Sequence, residues 1–293
     1  DILISEKIPP ILTPHEKHII MKYTKADPLD TIFTKKSVAC ITTYRDELWI
    51  FMLNGNIYTQ TNTYNHKTTD IINTTWIAAK TNHHFIVAID QKSIFYIWNP
   101  TLLTTIMWNQ VNTFEIIEEN IWAASSNTCS IINPYTQECI HIIEIPAIQQ
   151  IIHKKHHVYL FNNTHIFTIN KHFPYTLHNT IETNIVKPIR HNNTWVGLTC
   201  DGDWHDNTIR LPTTCTAVLQ YNPNTFIFAT KQGELLIWEQ HEIITLTTVQ
   251  PIKHITKWNN YILIHTEDHC VFCLYYAINR TQKCFKWLQK NIE

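Results

Sequence analysis

Thr225-Phe226-Ile227-Phe228-Ala229-Thr230-Lys231-Gln232-Gly233-Glu234-Leu235-Leu236-Ile237-Trp238 decides the fold. Two runs of β-branched and aromatic residues flank Lys231-Gln232-Gly233, and such runs fit a pleated, half-buried strand. The chain has only four glycines in 293 residues. A residue so scarce belongs where other side chains are strained, in tight turns with positive φ. Gly55 follows Leu48-Trp49-Ile50-Phe51-Met52-Leu53, and Gly202 follows Thr194-Trp195-Val196, at the same phase as Gly233. Three of the four glycines therefore mark one position of an internal repeat.

The bulky residue opening each second strand recurs as Trp49, Phe85, Trp122, Tyr159, Trp195, Phe226 and Tyr261, at steps of 36, 37, 37, 36, 31 and 35 residues. A turn signal follows each one, among them Asn54-Gly55, Asp90-Gln91-Lys92 and Asn162-Asn163-Thr164. A third strand follows each turn, including Ile94–Trp98, Ser130–Ile132, Ile166–Ile169, Thr208-Ile209 and Val271–Tyr275. Short strands at this period are the mark of propeller blades. The reading is all-β: a seven-bladed β-propeller over residues 37–293, preceded by an N-terminal segment, 1–36. Blade six arrives early, so blade five has a short or missing outer strand. The ring is closed by an outer strand from His18–Tyr23 or from Lys283–Leu288.

At the third strand the blades resemble degenerate WD40 repeats. Gly233-Glu-Leu-Leu-Ile-Trp238-Glu followed by Ile243-Ile-Thr-Leu-Thr carries the resemblance, as does Ser93-Ile-Phe-Tyr-Ile-Trp98-Asn-Pro. Cys129-Ser-Ile-Ile-Asn-Pro-Tyr-Thr-Gln-Glu-Cys139 keeps the shape without the Trp. The chain has no Gly-His and no Trp-Asp dipeptide, so the side-chain network those residues make in the family is in question. The resemblance implies a propeller and, by analogy, a binding platform.

Lys plus Arg is 23 and Asp plus Glu 24, a net charge of −1. Nucleic-acid and anionic-membrane binders need a basic surplus, which is missing. No apolar run is long enough for a membrane-spanning helix. Thr, Ile, Asn, His and Lys are abundant while Gly and Arg are scarce, the pattern of a guanine-poor gene such as some viruses and parasites carry. The chain begins at Asp1 without a methionine, which fits a mature protein freed of a signal peptide and equally a shortened chain.

Placed on the blades, the eight cysteines map to one face and pair as Cys40–Cys270, Cys129–Cys139, Cys200–Cys215 and Cys273–Cys284. The first pair would staple the ring shut and, closing a long loop, contribute about 4–5 kcal/mol. An oxidising compartment follows, against the alternative of eight reduced thiols in a cytoplasmic propeller. Sequons begin at Asn73, Asn162, Asn192 and Asn279, all in turns. Asn and Thr are so abundant that chance alone supplies about four such triplets.

Among the eighteen histidines, His153, His156 and His157 cluster beside two lysines, and His83-His84 takes the equivalent turn of blade two. No ligand spacing accompanies them, and Cys270-Val-Phe-Cys273 stands alone. Asp201-Gly-Asp203-Trp-His-Asp206 has ligand-like acid spacing but lacks the rest of a calcium loop. No metal or cofactor is expected. The four arginines, Arg45, Arg190, Arg210 and Arg280, fall at different blade phases, unlike the convergent arginines of propeller sialidases. No nucleophile elbow or phosphate loop occurs, so the chain reads as a non-enzyme.

The expected partner is another protein, bound through turns on one face. Trp204, Tyr44 and Trp258 are the candidate anchors. The first expectation is a secreted or surface-exposed, disulfide-braced viral or parasite glycoprotein engaging a host receptor or envelope partner. The second is an intracellular WD40-like scaffold subunit of a larger assembly.

Overall fold

A computed structural model describes residues 38–275 apart from 46, 61–65, 72–73, 100–101, 109, 192–193, 206–208, 240–241, 248–250, 259–260 and 268–270. Both candidate ring-closing segments, His18–Tyr23 and Lys283–Leu288, lie outside these residues. Every regular element among them is a β-strand. Each of the first four sheets is four-stranded. They comprise β1 (Val38–Tyr44), β2 (Glu47–Met52), β3 (Asn56–Gln60) and β4 (His66–Ile71); then β5 (Trp76–Thr81), β6 (Ile86–Asp90), β7 (Ile94–Asn99) and β8 (Leu102–Met107). Next come β9 (Thr113–Ile117), β10 (Asn120–Ala124), β11 (Thr128–Ile132) and β12 (Cys139–Glu144); then β13 (Gln150–Lys154), β14 (His157–Phe161), β15 (His165–Asn170) and β16 (Leu177–Glu182). A two-stranded sheet follows, β17 (Ile185–His191) and β18 (Thr194–Thr199). The last two sheets are four-stranded, β19 (Cys215–Asn222), β20 (Thr225–Thr230), β21 (Glu234–Glu239) and β22 (Glu242–Thr247), and three-stranded, β23 (Ile252–Trp258), β24 (Tyr261–Thr266) and β25 (Val271–Tyr275).

Each sheet is an antiparallel meander in chain order, the connectivity of a propeller blade. Five sheets are complete four-stranded blades among the described residues. Of the seven aromatic anchors, six lie in second strands, and Phe85 immediately precedes β6. The 31-residue step after Trp195 leaves the fifth sheet short: no strand forms at Ile209, and Leu198 instead bridges Trp204. Contacts group the chain into two compact units, residues 37–186 and the part from residue 187 onward.

Burial falls steeply across a blade. The second strands β6 and β20 are buried along their whole length, on both faces. Their continuous apolar runs, Ile86-Val87-Ala88-Ile89 and Phe226-Ile227-Phe228-Ala229, suit a strand sandwiched between neighbours. In the first unit Phe51, Trp76, Tyr96 and Trp98 interlock between the first two blades, with Phe51 and Trp76 rings 5.3 Å apart edge to face. The outer strands β12 and β16 are largely or wholly exposed. Four first strands share a bulge just inside their start, at Val38/Cys40, Trp76/Ala78, Cys215/Ala217 and Ile252/His254.

One turn geometry follows the second strand in four of the sheets. Gly55, Gly202 and Gly233 all adopt positive φ, of 86°, 84° and 90°. Their amides donate to Met52 O, Thr199 O and Thr230 O at 3.0–3.2 Å. In the second blade Ser93 takes the same position at φ 60°, donating to Asp90 O. The residue opening the turn also holds the amide four residues on. Asp90 Oδ1 accepts from Ile94 N at 2.9 Å, Thr230 Oγ1 from Glu234 N at 3.0 Å, and Thr199 Oγ1 from Asp203 N at 3.3 Å. Asp90 is fully buried, and it further accepts from Lys92 N, Thr74 Oγ1 and Tyr96 Oη. A buried carboxyl group is tolerated there because its oxygens are so fully hydrogen-bonded.

A Cβ at Gly202 would stand 2.7 Å from Cys215 O and 2.9 Å from Cys215 N, in a backbone conformation that already disfavours it. Gly202→Ala should therefore lower the free energy of unfolding by about 1–3 kcal/mol. A chemical-denaturation midpoint unchanged from wild type would refute this account of the turn.

Candidate functional site

The three candidate anchors are core residues. Trp204 is only 4% exposed and packs edge-on against Phe226 and Phe228, ring centres 5.2 and 5.3 Å away. The Leu198 bridge turns its loop inward, and Val196, Ile209 and Cys215 complete the cluster. Tyr44 is 8% exposed, its hydroxyl donating to His84 O at 3.1 Å, with the Arg45 guanidinium 5.0 Å above its ring. Trp258 is 5% exposed. All three sit beside turns, as their positions in the sequence suggest, but their side chains point into the protein.

Among the described cysteines Cys129, Cys139, Cys200 and Cys215 are free thiols. The Cys129–Cys139 pairing fails on register, since Cys129 faces Ile143 and Cys139 faces Ile132. The hairpin pivots later than Pro134: Asn133 Oδ1 caps the amides of Tyr135 and Thr136, and Gln137 takes φ 63°. Cys200 is exposed and Cys215 is buried with its thiol toward Thr213 O. Cys270 and Cys284, and the side chain of Cys273, lie outside the described residues. Burial pushes the Cys129 thiol up to about 12. Burial, then the charges of Asp203 and Glu234, push Cys215 to about 12 as well. Thiols held protonated in this way are not nucleophiles.

Of the four sequons, only Asn162 is described. Its Oδ1 accepts from the amides of Thr164 and His165, and its Nδ2 donates to Pro146 O at 3.4 Å. Asn73, Asn192 and Asn279 lie outside the described residues. His83, His84 and His156 are exposed turn residues, His153 is exposed on β13, Asp201 and Asp203 are exposed, and no metal-sized cluster of three ligands occurs among the described residues.

The surface feature that stands out was not singled out by the sequence. Eight large apolar side chains are exposed among the described residues, and six of them belong to the third and fourth blades: Tyr135, Ile140, Ile142, Phe173, Leu177 and Ile181. Phe173 is 80% exposed and is held by an edge-on contact with Tyr175. Tyr175 in turn packs on Trp122, ring centres 5.6 Å apart, and on His141 of β12, 5.3 Å away. Burial first, then the charge of Glu118, raises the Tyr175 pKa above its ordinary value, so the hydroxyl stays protonated.

The β15–β16 turn carrying Phe173 is anchored on both sides. Lys171 Nζ pairs with Glu118 Oε1 at 3.0 Å and His172 Nδ1 approaches Glu118 Oε2 at 3.5 Å, while Lys171 N donates to His156 O. Tyr135, in the β11–β12 turn, is held edge-on against Phe85 of the second blade. A concentration of exposed apolar side chains on supported turns and edge strands is the kind of surface that binds other proteins. The one signal available beforehand was Phe173-Pro174, a large apolar residue in a turn that has no core position to fill.

No protein-family model matches the chain, and no curated protein matches it in sequence. Solved structures resemble it closely in fold. The WD40 β-propeller domain of Doa1 superposes with a TM-score of 0.65 at 8% identity, over 87% of this chain and 98% of that one. BBS1N, solved in complex with ARL6DN, gives 0.65 at 11% identity, over 83% and 93%. BamB from Moraxella catarrhalis gives 0.61 at 10% identity, over 84% and 85%. At these identities the likeness establishes the fold alone, an all-β propeller.

The buried Cys129 thiol predicts an alkaline weakness. Unfolded, it ionises from about pH 9; folded, it stays protonated to about 12. Its folded pKa is the higher one, so its contribution to stability is intact below pH 9 and is lost as pH rises toward 12. Each pH unit in that window should cost about 1.4 kcal/mol. Cys129→Ala should flatten the fall in unfolding free energy between pH 9 and 11. An equally steep fall in the variant would show that the thiol plays no part.

Proposed function

We propose that the chain is a non-enzymatic protein-interaction scaffold that presents the outer edges of its third and fourth blades to a partner protein. The observation that carries the reading is the concentration there of six of the eight large apolar side chains exposed among the described residues. The two buried thiols with raised pKa values offer no nucleophile in its place. Propellers such as BBS1N, solved with ARL6DN, lend the reading analogy. We further propose seven blades, the two- and three-stranded sheets being the fifth and the seventh, because every sheet carries or adjoins one aromatic anchor of the repeat.

The compartment is a separate proposal with two forms. The extracellular form, a disulfide-braced glycoprotein of viral or parasite origin engaging a host receptor or envelope partner, rests on cysteine number and composition. The register of the β11–β12 hairpin removes one of its four bridges and so favours the second form, an intracellular scaffold subunit. Alkylation of the unreduced, denatured protein from its source separates them. Eight modified thiols and a bare polypeptide mass support the intracellular form; no free thiol and added glycan mass support the extracellular one.

The scaffold reading itself is tested by capture. Phe173→Asp changes a side chain that is mostly in solvent, so unfolding stability should stay within about 0.5 kcal/mol of wild type. Co-purification of partners from the native source should fall at least about tenfold, the loss expected when a binding anchor is removed. Undiminished capture would remove this surface from the binding site.

A further inference from the structure

Resting on that scaffold reading, we propose that β16 accepts an acidic segment of the partner as an added β-strand, and that the grip tightens as pH falls. β16 is the outermost strand of its blade, and all six of its residues, Leu177-His-Asn-Thr-Ile-Glu182, are exposed. An edge strand turns unpaired N–H and C=O groups outward, ready to pair with another chain. Proteins usually guard such edges with lysine, proline or burial. β16 carries no lysine, proline or cover, only the bulge at His178 and Glu182 at its far end, and it offers Leu177, 54% exposed, and Ile181, 43% exposed, as apolar contacts. Register sets them on opposite faces, Leu177 beside Ile169 and Ile181 beside Ile166, with His178 bulged between. An added strand thus finds one apolar contact on each face, the usual form of strand addition.

The charge of the blade selects the partner. Residues 150–182 contain Lys154, Lys155 and Lys171 against a single acid, Glu182, in a protein whose net charge is −1. The same stretch holds six of the eighteen histidines, His153, His156, His157, His165, His172 and His178, where an even spread would put about two. Guanine-poor coding accounts for many histidines but not for their gathering. The Lys171 N to His156 O hydrogen bond draws the β13–β14 turn, with Lys154 and Lys155, to the end of the sheet where β16 begins. His157 and His178 meet there, ring centres 5.4 Å apart.

The opposing charges are few. From the third blade Glu118 faces Lys171 and His172, and at the far end of β16 Glu182 lies opposite His165. Imidazoles gain their charge between pH 8 and 5, whereas the partner's carboxylates stay ionised down to about 4. Lowering the pH through this window therefore adds attraction.

The probe is a fluorescent peptide of about eight residues, with two glutamates leading an alternating Val-Thr run, and its control has lysines for the glutamates. Polarisation titrations at pH 8 and pH 6 should show the acidic peptide binding about tenfold tighter at the lower pH and the basic one not binding. Ile181→Lys, on the exposed edge, should abolish binding without changing the denaturation midpoint. His178→Ala should shrink the pH effect. Equal binding of both peptides, a flat pH response or an unaffected Ile181→Lys variant overturns the proposal. A dimer in gel filtration that Ile181→Lys dissolves also overturns it, assigning the edge to a second copy of the chain. If partners are captured and Phe173→Asp loses them while the acidic peptide fails, the scaffold reading stands and the β16 mode falls. If nothing is captured, the scaffold reading falls first.

Discussion

The hydrogen bond from a turn-opening side chain to the amide four residues on is the constraint that sets the turn after the second strand in three of the sheets. Asp90, Thr199 and Thr230 all make it, and each turn then closes through a residue at positive φ. In the second and sixth sheets it fixes the register of second strand on third, and in the fifth it sets the bridge of Leu198 to Trp204. A chain with four glycines cannot leave such turns to glycine. Asparagine side chains take over elsewhere: Asn54, Asn82, Asn133, Asn162 and Asn222 each accept an amide two residues on. Among the described residues seven other than glycine adopt positive φ, including Arg45, Ala147 and Lys155. The asparagine-rich composition is thus part of how the fold turns without glycine.

Second and third strands were legible because both their faces are buried, which makes their sequences nearly continuous apolar runs at a fixed period. First strands were harder, since a bulge near their start breaks the alternation without leaving a residue signature: Ala39, Ile77, Thr216 and Lys253 share no chemistry. The anchors failed for a related reason. Distance from a turn can be counted along a chain, but side-chain direction cannot once an isolated bridge, as at Leu198 and Trp204, folds the turn back on its sheet. The cysteine pairing failed by four residues, Cys129 facing Ile143 rather than Cys139: Asn133 caps the β11–β12 turn in a way that moves its pivot past Pro134.

Apart from Phe173-Pro174, the exposed surface left no mark in the sequence, because apolar residues on an outer strand look like apolar residues anywhere. Ile140 and Ile142 stand in Ile140-His-Ile-Ile, a run that alone reads as a half-buried strand. Only the position of β12 as the last strand of its meander shows that no further strand covers it. Topology, rather than composition, converts these side chains from core candidates into surface.

This asymmetry bears on where function can reside. Inner strands are fixed by packing on both faces, so a change there costs stability before it can alter recognition. An outer strand is tied to one neighbour, and a side chain such as Ile181 can change with little cost to the fold. Exposed apolar side chains on such a strand gain nothing from packing within the blade. Their burial by a partner would recover roughly 25 cal/mol for each Å² removed from water, a gain the isolated chain leaves unused. In β16 that unused apolar area adjoins unpaired backbone groups and a gathering of imidazoles. Each of the three is ordinary alone. Together on one strand they supply the affinity, the geometry and the charge that strand addition requires.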